Sequence, residues 1–351
     1  MRLTKDRFSE NGPIWQGVDN NYDKNLKETI SFIKDLGIIK KNSPFKVYKI
    51  KGLEINSSNI LIKSELRSFI LKKYSQPDDN FINKQLELYK FLREKKLSGP
   101  YMLEDFQQAY EIKNGDKVLF LEYEAGKYFK GHFRELALAA KSISNFIKAF
   151  KSYDNSKLQY IQILQDNSID ILNDFLKENE TWEKKLGINN TLLLKKEWNY
   201  IYENVADSRL HISKIKEQDK FGIHVDLHPH NLLIHDDVCT LLDIDSIKCS
   251  YWPTSLGFAI FKLLRQSLTE LKLDSKFKTN ANNFVMTIGE QIFIKNIPWD
   301  ILHMGAKLEI LRRILIIIEG NLGEKTSNWN DVLVIQVRAL KEIDYIKNSL
   351  I

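Results

Sequence analysis

Apolar and polar residues alternate with a period of two from Phe45 to Tyr74, through "FKVYKIKGLEI", "NILIKSE" and "SFILKKY". Gly52 and the polar run Asn56 to Asn59 interrupt the pattern, so it predicts three antiparallel strands joined by turns. The period then changes. Ile82, Leu86, Tyr89 and Leu92 recur at helical spacing, with Asp79 or Asn80 placed to cap the helix N-terminus. "AYEIKNGDKVLFLEYEAG" reads as a hairpin turning at "NGD", with a second strand running to Gly126. An earlier helix is predicted from Leu26, Ile30, Ile33 and Leu36, closing at Gly37. From residue 132 to 220 the period is mostly helical, most clearly in "FRELALAAKSISNFIKAF", and it is helical again from Leu256 onward. Between these stretches lie two short apolar segments, one on each side of "HDDV".

This order predicts an α+β chain with a β-rich part followed by a larger helical part, packed as two lobes with a hinge near Glu124 to Lys127. The expected boundaries are a helical extension over 1–45, a β-rich lobe over 46–124 and a helical lobe over 125–351. At 351 residues, 43% of them hydrophobic, the chain is long enough for two cores. The longest apolar run, Ile314 to Ile318, is far shorter than the ~20 residues that span a bilayer. No secretory signal is read at the N-terminus, and the two cysteines form no CxxC pair, which suits a reducing cytoplasm. The net charge of +6 comes from lysines and arginines mixed with 46 acids along the whole chain. It predicts a lysine-rich solvated surface, and neither a nucleic-acid partner nor a membrane surface.

The chemistry concentrates in "HVDLHPHNLL", His224 to Leu233, and "LLDIDS", Leu241 to Ser246. Phosphoryl transfer needs a placed hydroxyl relieved of its proton and a phosphate charge neutralised by metal. Asp226 is the candidate base, while Asn231 and Asp243 supply the oxygen ligands that Mg²⁺ prefers. A hairpin of "NLLI" and "TLLDI" would return Asp243 beside Asn231. Four of the seven histidines lie between 224 and 235, which raises zinc as an alternative; Pro229 inside the interval and the lack of a suitably spaced cysteine weigh against it. A carboxylate stripe at Asp166, Asp170, Asp174 and Glu178 could face a cationic substrate, but it fits the solvated face of an amphipathic helix better. Tyr251, Trp252 and Trp299 could cage an ammonium group, and core packing explains them as well.

The first segment matches the protein-kinase loop H-R-D-L-x-x-x-N except for Val225 in place of arginine. With "LLDID" after it, the chain resembles the aminoglycoside phosphotransferase and choline kinase superfamily, the small-molecule relatives of protein kinases. The resemblance spans about residues 46–270 and implies a protein-kinase-like bilobal fold. It implies ATP and Mg²⁺ as cofactors and a small-molecule hydroxyl acceptor. Asp226 would be the catalytic base, Asn231 and Asp243 the metal ligands, and His224 a brace for the loop. Asp245 would support the metal or replace Asp243 if the register slips by two. Lys72, with Lys73 as its rival, would grip the α- and β-phosphates. Ser57 and Ser58 stand in the phosphate loop, which lacks glycine in "EINSSN". Backbone groups of Glu122 and Tyr123 would meet the adenine. The helix carboxylate that pairs the lysine aligns with Gln85, which cannot neutralise it, so Glu87 is expected to do so. Ser255 stands where the family usually has an aspartate. Two readings follow: a kinase phosphorylating a sugar, amino sugar, choline-like alcohol or aminoglycoside, or a nucleotide-binding pseudokinase acting as a partner module. Val225, Gln85 and Ser255 keep the second open.

Overall fold

The structure is a computed structural model that describes residues 3, 15–18, 24–40, 43–50, 57–112, 115–163, 167–177, 179–212, 216, 219–292, 296–321 and 330–350. The chain divides into two compact units. One comprises Asn11–Tyr128 with Leu233–Asp245, and the other comprises Met1–Glu10, Phe129–Leu232 and Ser246–Ile351.

The first unit is built on an antiparallel sheet. Its strands are β1 (Trp15–Gly17), β2 (Phe45–Ile50), β3 (Ser57–Ser64), β4 (Ser68–Tyr74), β5 (Tyr110–Glu111) and β6 (Lys117–Glu122), in the order β1-β2-β3-β4-β6-β5. The register sets Ile62 opposite Phe69 and Leu71 opposite Phe120. Side chains alternate across a pleated strand, so Phe69 and Leu71 enter one apolar layer while Ile70 and Lys72 take the other face. Helix α1 (Lys24–Asp35) packs Leu26, Ile30 and Ile33 into the layer of Val47, Ile62, Phe69, Leu71 and Phe120. The helix expected within the extension over residues 1–45 thus lies in this unit. The apolar stripe of α1 completes the sheet's own core.

Helix α2 (Asp79–Glu94) is capped by Asp78, whose carboxylate accepts the Phe81 amide at 2.7 Å, one residue before the expected cap. Its buried face is Ile82, Gln85, Leu88, Tyr89 and Leu92, so Gln85 and Leu88 replace the expected Leu86. The expected turn at Asn56 to Asn59 is also revised: Ser57 to Asn59 already pair with Tyr74 to Lys72. Strand β6 stops at Glu122, four residues short of the expected end at Gly126, and a separate strand β7 (Lys127–Tyr128) follows. Strand β7 pairs with β9 (Leu232–His235), which joins β10 (Val238–Leu241) in a small sheet. The segment Leu233–Asp245 thus belongs with the β-rich unit, 105 positions after Tyr128, and not with the helical one.

The second unit is helical. It contains α3 (Phe133–Phe150), α4 (Ser168–Lys177), α5 (Asn179–Leu186), α6 (Ile188–Ile212), α7 (Trp252–Glu270), α8 (Ser275–Gly289), α9 (Trp299–Glu319) and α10 (Asn330–Leu350). A two-stranded ribbon of β8 (Lys220–His224) and β11 (Ile247–Tyr251) sets His224 opposite Ile247. Asp170 is exposed on α4, whereas Asp166 and Glu178 of the acidic stripe lie outside the described residues. Among the described residues no helix is long and apolar enough to cross a membrane.

Helices α7 and α9 meet backbone to backbone. A Cβ at Gly305 would lie 1.8 Å from the Pro253 carbonyl oxygen, and one at Gly257 would lie 2.2 Å from that of Leu302. Ordinarily alanine outranks glycine inside a helix by up to about 1 kcal/mol. Here main-chain atoms cannot rotate away, so Gly305→Ala is expected to destabilise the chain by about 1–3 kcal/mol net, the usual cost of overpacking. Urea unfolding monitored by circular dichroism would measure it.

Candidate active site

The motif folds as a tight loop. His224 ends β8, and its Nδ1 accepts the Asp226 amide at 3.3 Å. The Val225 amide donates to the Ser246 carbonyl at 2.9 Å, tying the loop to the strand that follows. Pro229 opens a single 3₁₀ turn over Pro229–Asn231, and His228 Nδ1 accepts the His230 amide at 3.2 Å. Proline suits that position because the first amide of a turn has no internal partner. The Asn231 side chain then donates from Nδ2 to the Asp226 carbonyl at 2.8 Å. This bond fixes which way the amide points and leaves Oδ1 as the atom that can meet a cation.

The Asp226 carboxylate is held by a residue that the motif does not contain. Arg313 on α9 donates from Nη1 to Asp226 Oδ1 at 2.9 Å and from Nη2 to the Val225 carbonyl at 3.0 Å. Its Nε donates to Glu309 Oε1 at 2.8 Å, and Arg312 closes on the same glutamate at 2.7 and 2.8 Å. The guanidinium lies 4.2 Å from the centre of the Phe258 ring on α7. Glu309 has a side chain only 4% exposed. Burial opposes its ionisation, but Arg313 and Arg312 reverse that and hold the carboxyl below the usual carboxylate range. Burial likewise opposes ionisation of Asp226, and Arg313, followed by His228, Lys262 and His224, holds it far below that range. The Asp226 side chain is 35% exposed, so solvent screens part of this pull. Arg313 and Glu309 were missed because they lie in the last 80 residues, where no motif is recognised. A signal was present: "LEILRR" sets two arginines three and four residues after a glutamate inside an otherwise apolar helix, where charges must pair.

In the β-rich unit the second group of residues forms around Lys72. Its Nζ lies 2.8 Å from Asp245 Oδ2 and 3.3 Å from Asp243 Oδ1. Burial would lower this ammonium's pKa; Asp245, with Tyr89 and Asp243, raises it above the ordinary lysine value, so the group stays charged. The Tyr74 hydroxyl donates to Asp245 Oδ2 at 2.8 Å and that of Tyr89 to Oδ1 at 3.5 Å. Asp243 sits in the left-handed region at φ +53° with its side chain 40% exposed. Of the two adjacent lysines, Lys73 turns instead to Asp116, at 2.6 Å.

Several expected roles change. Glu87 is exposed on α2, while Gln85 is buried on the face that carries Tyr89. Residues two apart on a helix point about 200° around its axis from one another, so the two cannot share that face. The carboxylates on Lys72 are those following β10, not the helix glutamate. The Glu122 amide already donates to the Tyr101 carbonyl at 2.8 Å and its side chain pairs with Arg93 at 2.9 Å, so that N–H is not offered to an adenine. The Tyr123 ring lies under the Lys63 ammonium, 5.4 Å from centroid to Nζ. Ser57 and Ser58 open β3 opposite Tyr74 and Lys73; residues 51–56 of the expected phosphate loop lie outside the described residues. Ser255 Oγ donates to Ser250 Oγ at 2.8 Å, a neutral contact at the start of α7. Trp252 is buried with Nε1 bonded to Asp219 at 3.0 Å, and Trp299 packs edge-on against Phe261. Among the described residues no three His, Cys, Asp or Glu side chains converge as metal ligands. The amide oxygen of Asn231 and the carboxylate of Asp243 are hard oxygen donors, the kind that Mg²⁺ prefers.

No family model matches the chain, and no curated protein matches it. Solved structures share its fold. A spectinomycin phosphotransferase, in complex with ADP and spectinomycin, superposes with a TM-score of 0.64 at 14% identity, covering 92% of this chain and 98% of its own. An amicoumacin kinase bound to AMP-PNP, Ca²⁺ and its substrate gives 0.60 at 12%, over 93% and 94%. The choline kinase LicA from Streptococcus pneumoniae gives 0.56 at 15%, over 92% and 100%. The chain has the kinase-like α+β fold common to these proteins.

Proposed function

We propose that the chain is an ATP- and Mg²⁺-dependent phosphotransferase that moves the γ-phosphate to a hydroxyl of a small molecule. The observation that carries the reading is the loop itself: a single turn presents an ionised carboxylate at Asp226 and an oriented amide oxygen at Asn231, on a fold shared with solved complexes of ADP, AMP-PNP and GDP. In this reading Asp226 receives the proton of the acceptor hydroxyl as its oxygen bonds to the γ-phosphorus, while the bond to the β-phosphate oxygen breaks and ADP leaves. Arg313 occupies Oδ1, and Oδ2, 3.7 Å from His228 Nε2, is the oxygen that would meet the hydroxyl. A carboxylate held this acidic is a weak base. That suits a loose transition state, in which the hydroxyl must be aimed early and gives up its proton late. Asn231 and Asp243 would hold Mg²⁺, which neutralises phosphate charge when bound. Lys72, kept as an ammonium, supplies a fixed positive charge for phosphate oxygens.

The test has two parts. MgATP should raise the unfolding midpoint, since a ligand at 100 times its Kd stabilises by about 2.7 kcal/mol. With γ-labelled ATP, one class among sugars, amino sugars, amino alcohols and aminoglycosides should then yield a labelled phosphoester. Stabilisation by MgATP with no transfer across the whole panel would point to a nucleotide-binding partner module instead.

A further inference from the structure

We propose that Asp245, clamped by Tyr74 and Tyr89, is the charge partner that positions Lys72 for the nucleotide, taking the place of a helix carboxylate. The inference rests on the nucleotide reading above and adds which residues set the grip.

A buried ammonium needs a carboxylate. Lys72 has a side chain only 4% exposed, and the buried face of α2 carries a neutral amide, Gln85, whose Oε1 accepts no hydrogen bond among the described residues. The two aspartates after β10 are not equivalent. Asp245 is closer to Nζ by 0.5 Å (3.3 against 2.8 Å) and only 16% exposed, and each of its oxygens accepts a tyrosine hydroxyl. Those three contacts take most of the roughly four acceptor positions that a carboxylate has. Asp243 is more open, at 40%, on a backbone that turns through the left-handed region. The geometry therefore divides the labour: Asp245 is the closer and more sealed partner of the lysine, and Asp243, which also accepts from Lys72 at 3.3 Å, is the more open carboxylate that would turn to a metal. Both tyrosines are buried phenols held above their ordinary pKa by burial and by Asp245, so they stay neutral donors. Tyr74 is two positions from Lys72 on the same strand face, and Tyr89 reaches Asp245 from α2. The lysine's anchor is thus shared between strand and helix through uncharged hydroxyls.

The experiment is calorimetric titration of the full chain with MgATP and separately with adenosine, which has no phosphate for Lys72 to grip. Asp245→Asn should weaken MgATP by about tenfold or more, on the scale of a lost charge-assisted contact, and adenosine by less than about twofold. Glu87→Gln, the change that a helix-carboxylate anchor requires to be damaging, should leave both unchanged. Wild-type MgATP affinity in Asp245→Asn overturns the proposal. So does adenosine falling in step with MgATP, or an equal loss in Glu87→Gln. If the wild type binds neither ligand, the proposed function fails, and ligand-free thermal unfolding then judges the pairing. A midpoint several degrees lower in Asp245→Asn than in Glu87→Gln supports it, and equal midpoints overturn it.

Discussion

Asp226→Asn is expected to lower phosphoryl transfer by about 10²–10⁴-fold, the range that a positioned general base contributes, while MgATP affinity changes by less than about twofold. The amide keeps the shape of the carboxylate and can still accept from Arg313. It cannot take a proton, and it offers the hydroxyl a weaker, uncharged acceptor. The Asn231 bond to the residue 226 carbonyl is a backbone contact, so the loop survives the change. Single-turnover transfer beside a nucleotide titration separates the two effects. Transfer at the wild-type rate in this variant removes Asp226 from the chemistry.

Arg313→Met is the second large effect, and it acts on activity and stability together. Removing the guanidinium frees Asp226 Oδ1 and takes one of two cationic partners from Glu309. Glu309 is nearly sealed from water, so most of the stability loss arises there. Breaking a buried ion pair costs about 3–5 kcal/mol. Arg312 still bonds both Glu309 oxygens, so the lower end of that range is expected. Asp226, being partly exposed, adds less because water takes over from the lost partner. The pH dependence has a definite sign. Glu309 is more acidic folded than unfolded, so its stabilisation is complete above the unfolded carboxylate value of about 4.3 and fades as pH falls through the lower folded value. The gap between wild type and Arg313→Met, measured by urea unfolding, should therefore be widest near neutrality and narrow below about pH 4. Transfer should also fall in this variant, because Asp226 loses the donor that fixes its rotamer. Arg313→Lys should recover part of both losses, since it keeps the charge and loses the fork that reaches three acceptors at once.

Much of the frame could be read from local pattern. The alternation in "SFILKKY" assigned Phe69 and Leu71 to one face and Lys72 to the other, and the spacing of Asp226 and Asn231 marked a loop whose internal bond the structure contains. Three things were not local. Which carboxylate meets Lys72 depends on residues 171 and 173 positions away, and a helical wheel alone cannot choose between Gln85 and Glu87 without knowing which arc of α2 is covered. The clamp on Asp226 comes from 87 residues downstream, in a helix whose apolar run conceals its charges. The placement of α1 against the sheet depended on what its stripe would find to bury, and periodicity names the stripe without naming its partner.

The return of Leu233–Asp245 to the β-rich unit has a consequence for the order of synthesis. When Tyr128 leaves the ribosome, the six-stranded sheet has all its strands, yet the ammonium of Lys72 has neither of its aspartates. These arrive more than a hundred residues later, after α3 to α6 have been made. Until then the nascent sheet must keep that side chain hydrated or pay to enclose it alone, and a fragment cut at residue 128 would carry the same defect permanently. The β-rich unit is therefore contiguous in space but completed only when two-thirds of the polypeptide has been translated.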